Sequence, residues 1–289
     1  QKAFALEDDA ASILNEPVHS FSRDLPIEVW EAFKTEFMCA SDLIIPEGYS
    51  FSALGSDISP HNIMQRHIAT LVRDRVRSGN WSGTGAGKTL SAVLASRVIG
   101  AELTVVCAPN NVLNTWRKGI LDAYPDSHVQ QKTFSPQWKG RMSHRYLLLN
   151  YEMFQQKDSI AGLKALLDED MPDFIVIDEV QFSKQREPLK MSRRRENVLA
   201  TIAHAAKQNA NLHVLGMSAT PVINNLYEAR SLLEMIYTTQ FPELNTTPTI
   251  SNAMRVHQQL VRSGPRYIPD YDAELIVRRP RVEISDYLT

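Results

Sequence analysis

Residues 82–89 read Ser-Gly-Thr-Gly-Ala-Gly-Lys-Thr. A phosphate cradle needs backbone N–H groups turned inward, and glycines permit that close backbone path. Gly83, Thr84, Gly85, Ala86 and Gly87 would form the cradle. Lys88 would reach the β- and γ-phosphates, the Thr89 hydroxyl would hold Mg²⁺, and the helix that follows would turn its positive end to the anion. In the strict pattern, Gly-x-x-x-x-Gly-Lys-Ser/Thr, the first glycine falls on Ser82. The preceding stretch, Arg-Val-Arg-Ser-Gly-Asn-Trp, makes a poor buried strand. Taken alone, the loop also reads as a glycine-rich turn before a helix.

Ninety residues after Lys88, the apolar run ending in Asp178 and Glu179 offers paired carboxylates. Asp178 would hold Mg²⁺ through water, and Glu179 would orient and deprotonate the attacking water. Standing alone, such a pair also reads as a solvated strand end. Ser218, Ala219 and Thr220 follow a further apolar run, and their hydroxyls could sense a γ-phosphate. The plainer reading is a polar turn before Pro221.

The elements that must position these residues are short apolar runs at 103–109, 146–151, 173–179 and 212–220. Each is bounded by polar residues, as in strands buried on both faces. Helical spacing lies between them: 89–99 carries Leu90, Val93, Leu94 and Val98 before Gly100. Asn111 would cap a helix with Val112, Leu113, Trp116 and Ile120, and Asn225 another with Leu226, Ala229, Leu233 and Ile236. Alternating strands and helices predict an α/β fold with a mostly parallel sheet covered on both faces. Residues 1–60 read as a mainly helical extension, with helical spacing at Ile27, Trp30, Phe33 and Phe37. No internal repeat or low-complexity tract is visible.

The 289 residues are 43% hydrophobic and 22% charged, with a net charge of −2, so bulk charge does not announce a nucleic-acid partner. Two cysteines, Cys39 and Cys107, give no disulfide framework or zinc site. No apolar run approaches the ~18 residues of a membrane span. The acidic start has no signal-peptide core, and an initial Gln suggests a fragment or processed chain.

In this order the stretches resemble superfamily 2 helicases and translocases: "SGTGAGKT" looks like motif I, "DEVQ" like motif II and "SAT" like motif III. The finer match is to the Swi/Snf family of double-stranded DNA translocases. "VVCAPNNVLNTWRKGI" is similar to its motif Ia, "LLLNYEMF" to the segment before motif II, and "TPVINNLYEARSLLEMI" to the stretch after motif III. "HNIMQRHI" looks like its upstream glutamine motif, which implies that Gln65 contacts adenine. The resemblance implies a RecA-like P-loop lobe over 61–245 and a linker, 246–289, toward a second lobe. It implies ATP and Mg²⁺ as cofactors, with Lys88, Thr89, Asp178 and Glu179 at phosphate, metal and water. It also implies that Gln181, Ser218 and Thr220 couple hydrolysis to movement. Gln181 stands where the family usually has His, and Ser-Ala-Thr where Thr-Gly-Thr is more common; both keep hydrogen-bonding capacity.

For nucleic acid, the resemblance favours Asn110, Asn111 and Thr115, polar residues able to meet phosphates without reading sequence. The cluster Lys184, Arg186, Lys190, Arg193, Arg194 and Arg195 could hold a phosphate backbone or be a solvated loop. Trp116 reads as a core residue rather than a base stacker. The expected function is the ATP-hydrolysing lobe of a motor on duplex DNA. An arginine finger from a second lobe is worth ~10³–10⁵ in rate in related enzymes, so the lobe by itself should hydrolyse ATP poorly. Alternatives are a strand-separating DNA or RNA helicase or restriction-type motor, or a non-hydrolysing nucleotide-binding scaffold. Protein partners are unspecified. A bacterial or viral source would put the protein with the cytoplasmic nucleoid, a eukaryotic one in the nucleus.

Overall fold

Alternate residues of each central strand face different helical layers. In strand β2 (Leu103–Ala108), Val106 and Ala108 join one buried cluster, and Leu103, Val105 and Cys107 join the other. The computed structural model describes residues 27–50, 62–138, 143–156, 159–180, 193–222, 225–269 and 280–282. Strands β1 (Arg77–Asn80), β2, β3 (His128–Gln131), β4 (Arg145–Asn150), β5 (Phe174–Asp178) and β6 (His213–Met217) form one sheet in the order β1-β6-β5-β2-β4-β3. Every neighbouring pair is parallel, as expected from apolar runs buried on both faces.

Helices α1 (Ile27–Ser41), α2 (Ile63–Asp74), α3 (Lys88–Val98) and α4 (Leu113–Ala123) supply Phe37, Ile68, Leu94 and Trp116 to the first cluster. Helices α5 (Ser159–Glu169), α6 (Arg193–Gln208), α7 (Leu226–Tyr237) and α8 (Ile250–Ser263) supply Leu166, Ile202, Leu232 and Leu260 to the second. Strands β7 (Tyr267–Pro269) and β8 (Pro280–Val282) form a separate antiparallel pair. Residues past 245, expected as a linker, contribute Val256, Leu260 and Tyr267 to the core. No helix among the described residues is long and apolar enough to cross a membrane.

The stretch before the glycine-rich loop is a strand after all. Ser78, Gly79 and Asn80 of β1 are buried without a hydrophobic run: Trp81 covers Gly79 on one face, and on the other Asn80 turns to Ser91 of α3. Gly79 pairs with Gly216 of β6, and a Cβ on Gly79 would collide with the Trp81 ring. The bare backbone there leaves room for the indole, whose Nε1–H donates to Leu260 O and Ser263 Oγ of α8, both at 3.0 Å.

Caps fix the helix starts. Asn62 and Gln65 form a reciprocal capping box on α2, and the Asn225 side chain accepts from Glu228 N on α7. Asn111 does not cap α4. It lies in a 3₁₀ turn, Asn110–Val112, and Val112 occupies the cap position with no side-chain bond.

Candidate functional site at the strand tips

Sheet register aligns the chemistry. Asn80 of β1 lies opposite Met217 of β6, and Met217 lies opposite Asp178 of β5. Three parallel strands therefore end in one row. The glycine-rich loop, the Ser218–Thr220 turn and Glu179 leave the sheet side by side at its carboxyl edge, where ligands of open α/β sheets sit.

The loop is tightly built. Gly85 and Gly87 take φ of 77° and 91°, left-handed values that favour glycine. A Cβ on Gly87 would approach the Gln65 amide nitrogen to 2.6 Å. That amide donates to Gly87 O at 3.4 Å, so the glutamine expected at adenine borders the cradle. The Lys88 ammonium donates to Ser82 O at 3.0 Å and Gly83 O at 3.1 Å. Burial pulls its pKa below the ordinary lysine value, while the Glu179 and Asp178 carboxylates act in the opposite sense. Lys88 thus feels both acids across the strand tips. Thr89 is half-buried in the first turn of α3.

Ser82 is fully buried and has work of its own. Its Oγ accepts from Tyr267 N at 3.2 Å, Gly83 N donates to Tyr267 O at 2.8 Å, and Trp81 N donates to Pro265 O at 2.9 Å. The loop is laced to the chain that leaves α8. Asn80 adds a second anchor: its Oδ1 accepts from Ser82 N and its Nδ2 donates to Ser91 Oγ on α3. Behind the lacing, the Tyr267 hydroxyl shares a 2.5 Å hydrogen bond with His67 Nδ1, and His67 Nε2 meets Glu36 at 2.9 Å. Arg75 donates to the other Glu36 oxygen at 2.6 Å. Sequence reasoning missed Asn80 and this chain of contacts, because pairs such as Ser82 and Tyr267 lie 185 residues apart.

Asp178 is 7% exposed, and both its carboxylate oxygens are engaged. Oδ1 accepts from Glu179 N at 3.0 Å and Oδ2 from the Trp116 indole at 2.8 Å; the Tyr151 hydroxyl donates to the Asp178 carbonyl at 2.6 Å. Burial pushes the carboxyl up to about 6, opposed by the Trp116 N–H and reinforced by the Glu179 charge. Glu179 sits at φ 50°, a strained backbone that turns the chain sharply off the strand. Ser218 is fully buried; its Oγ accepts from Thr220 N at 3.0 Å and its own N–H donates to Asn80 O at 3.1 Å. Thr220 is exposed, and with Ala219, Trp81 and Leu260 it borders a cavity of ≈ 250 Å³.

These residues fit a magnesium-bound nucleoside triphosphate. The loop leaves no space for a Cβ at Gly87, a lysine ammonium lies within it, a helix begins there, and a buried carboxylate ends the strand beyond its neighbour.

The residues expected at nucleic acid divide. Asn110, Asn111 and Thr115 are exposed at the start of α4, and Asn110 Oδ1 accepts from Asn150 Nδ2 at 3.2 Å. Arg193 is exposed, whereas the Arg194 guanidinium lies 5.6 Å from the Tyr151 ring centroid. Arg195 corrects the expected patch: it is 2% exposed, and burial lowers its pKa against the pull of Glu234. It packs inside the lobe and cannot face a phosphate backbone. Gln181, Lys184, Arg186 and Lys190 lie outside the described residues. Trp116, 1% exposed, is a core residue as expected.

Residues 61–223, more than half of the chain, match the family model described as type III restriction enzyme, res subunit. The chain belongs to this family. With the fold, the match makes residues 61–223 a helicase-type lobe of superfamily 2, a family of ATPases. No curated protein matches the sequence. Among solved structures, the chain is similar to the Sulfolobus solfataricus SWI2/SNF2 ATPase core in complex with dsDNA, with TM-score 0.55 and 16% identity over 82% of this chain and 49% of that one. It is also similar to the Sulfolobus solfataricus SWI2/SNF2 ATPase core domain, with TM-score 0.43 and 17% identity over 72% of this chain and 42% of that one. At 16% identity the first likeness shows the fold, a RecA-like lobe, and the chain spans about half the length of that structure.

Proposed function

We propose that this chain is the ATP-binding and ATP-hydrolysing lobe of a motor that moves on double-stranded DNA. The observation that carries the reading is the row Asn80–Met217–Asp178, which brings the Lys88 cradle, the acidic pair and the hydroxyl turn to one sheet edge. The loop N–H groups and Lys88 would bind the triphosphate, and Gln65 would meet the base. Bound Mg²⁺ would neutralise charge on the phosphates, held by the Thr89 hydroxyl and, through water, by Asp178. Glu179 would accept a proton from the attacking water. The Ser218–Thr220 turn would pass the loss of the γ-phosphate on to movement, and Gln181 would share in that coupling. A second lobe would supply the arginine that completes the site.

DNA enters by the exposed Asn110, Asn111 and Thr115 together with Arg193, and by the dsDNA bound to the similar archaeal core. Family membership favours a restriction-type motor over a Swi/Snf-type translocase, since the matched family is named for a restriction enzyme subunit.

The test is binding of a fluorescent ATP analogue to the chain and to its Lys88→Ala variant, with and without Mg²⁺. Micromolar binding that needs Lys88 and is strengthened by Mg²⁺ is the expected result. Binding indifferent to Lys88 would leave the scaffold reading. A triplex-displacement assay on the protein with its second lobe separates translocation from strand separation.

A further inference from the structure

Helix α4 touches the acidic pair at one point. The Trp116 indole N–H donates to Asp178 Oδ2 at 2.8 Å, from a side chain that is 1% exposed. A buried tryptophan can satisfy its N–H elsewhere: Trp81 does so on a carbonyl and a serine hydroxyl, and the half-buried Trp138 uses the partly exposed Asp170, whereas the partner of Trp116 is the buried carboxylate at the strand tip. The bond also leaves lone pairs free on both Asp178 oxygens, so the carboxylate is oriented without being used up. Glu179 N holds the other oxygen and the Tyr151 hydroxyl holds the main-chain carbonyl. Of these three donors, only Trp116 lies on a helix. Carboxylates that ligate metals are usually held in this way by an outer ring of donors.

We infer that Trp116 is a positioning residue that fixes the Asp178 carboxylate for Mg²⁺ and ties its orientation to helix α4. Thr115, its immediate neighbour, is exposed and is one of the residues proposed to meet DNA, so one helical turn would carry both that contact and the carboxylate's support. The inference rests on the nucleotide reading above. A small axial shift of α4 moves the indole, and the carboxylate with it.

The variant Trp116→Phe keeps an aromatic ring in the core and deletes the donor. Titrating Mg²⁺ into the chain with a fluorescent ADP analogue should show the half-saturating Mg²⁺ concentration rising ~10-fold, the lower end for loss of an outer-ring donor. Metal-free nucleotide binding should stay within about twofold of wild type, a split that general loosening of the core would not give. An unmoved Mg²⁺ dependence in Trp116→Phe, beside a large shift in Asp178→Asn, overturns the inference and leaves the nucleotide site standing. If Asp178→Asn also changes nothing, the nucleotide reading falls and takes this inference with it. A second measurement does not require the Trp116→Phe variant to fold. The chain has four tryptophans, and in a ¹⁵N-indole spectrum one N–H resonance should move between wild type and Asp178→Asn. Four unmoved resonances would equally overturn the assignment.

Discussion

The side-chain oxygen of Ser82 accepts a hydrogen bond from the main-chain N–H of Tyr267 at 3.2 Å. The serine that departs from the usual phosphate-loop pattern is thus what receives the returning chain. Replacing it with the pattern's glycine strands a buried donor, which typically costs ~1–3 kcal/mol. Ser82→Gly should therefore lower stability in urea unfolding, although it improves the motif. A variant as stable as wild type would remove the lacing from the account.

Gly87→Ala tests the cradle. The new Cβ would press on the Gln65 amide at 2.6 Å from a backbone at φ 91°. Strain of this kind is worth ~1–3 kcal/mol, so nucleotide affinity should fall on the order of 10-fold or more while the far-UV spectrum is kept. Equilibrium binding of a fluorescent nucleotide checks it.

Arg97 on α3 donates to both oxygens of Asp126, and these bonds hold the Asp126 carboxyl below its ordinary value. A carboxyl lowered in the folded state adds stability at pH above its unfolded value and loses it as pH falls through the lower folded value. Asp126→Asn should flatten the acid limb of a stability–pH curve and leave neutral-pH slopes alone. The Asp126 side chain is 53% exposed, so solvent screening keeps the effect below about 1 kcal/mol. An acid limb identical in the variant would show that the pair adds nothing.

The arginines near α6 should separate in two assays. Arg193→Glu, at an exposed position, should lower duplex affinity and change the log–log salt slope by about one. Arg195→Glu should instead lose the fold, since its side chain is buried. Alanine at Asn110, Asn111 and Thr115 should weaken duplex binding and leave the salt slope unchanged, because no charge is removed. Fluorescence anisotropy at two salt concentrations, with circular dichroism, reads these outcomes.

Strands β2, β4, β5 and β6 were legible because a strand buried on both faces has to be apolar throughout. Strand β1 was not, because an indole laid over Gly79 and Gly216 covers one face and the polar Ser78 and Asn80 make up the other, so no hydrophobic run is left. Lys88, Asp178 and Glu179 could be chosen by residue type and spacing, but their common row depends on register, which local pattern does not contain. Trp116 read as core and is core, yet its N–H partner lies 62 residues away. Arg195 misled because a run of cations looks the same in sequence whether it faces water or is buried in the lobe.

Gly264 abuts the backbone of Gly79 so closely that a side chain at Gly264 would overlap the Gly79 carbonyl. The junction where α8 ends is therefore part of the phosphate loop's footing. Anyone trimming this polypeptide for expression, or fusing a reporter to it, should keep everything through Tyr267. A cut at residue 245, where the recognisable signatures stop, would leave the anion cradle intact on paper and unbraced in solution.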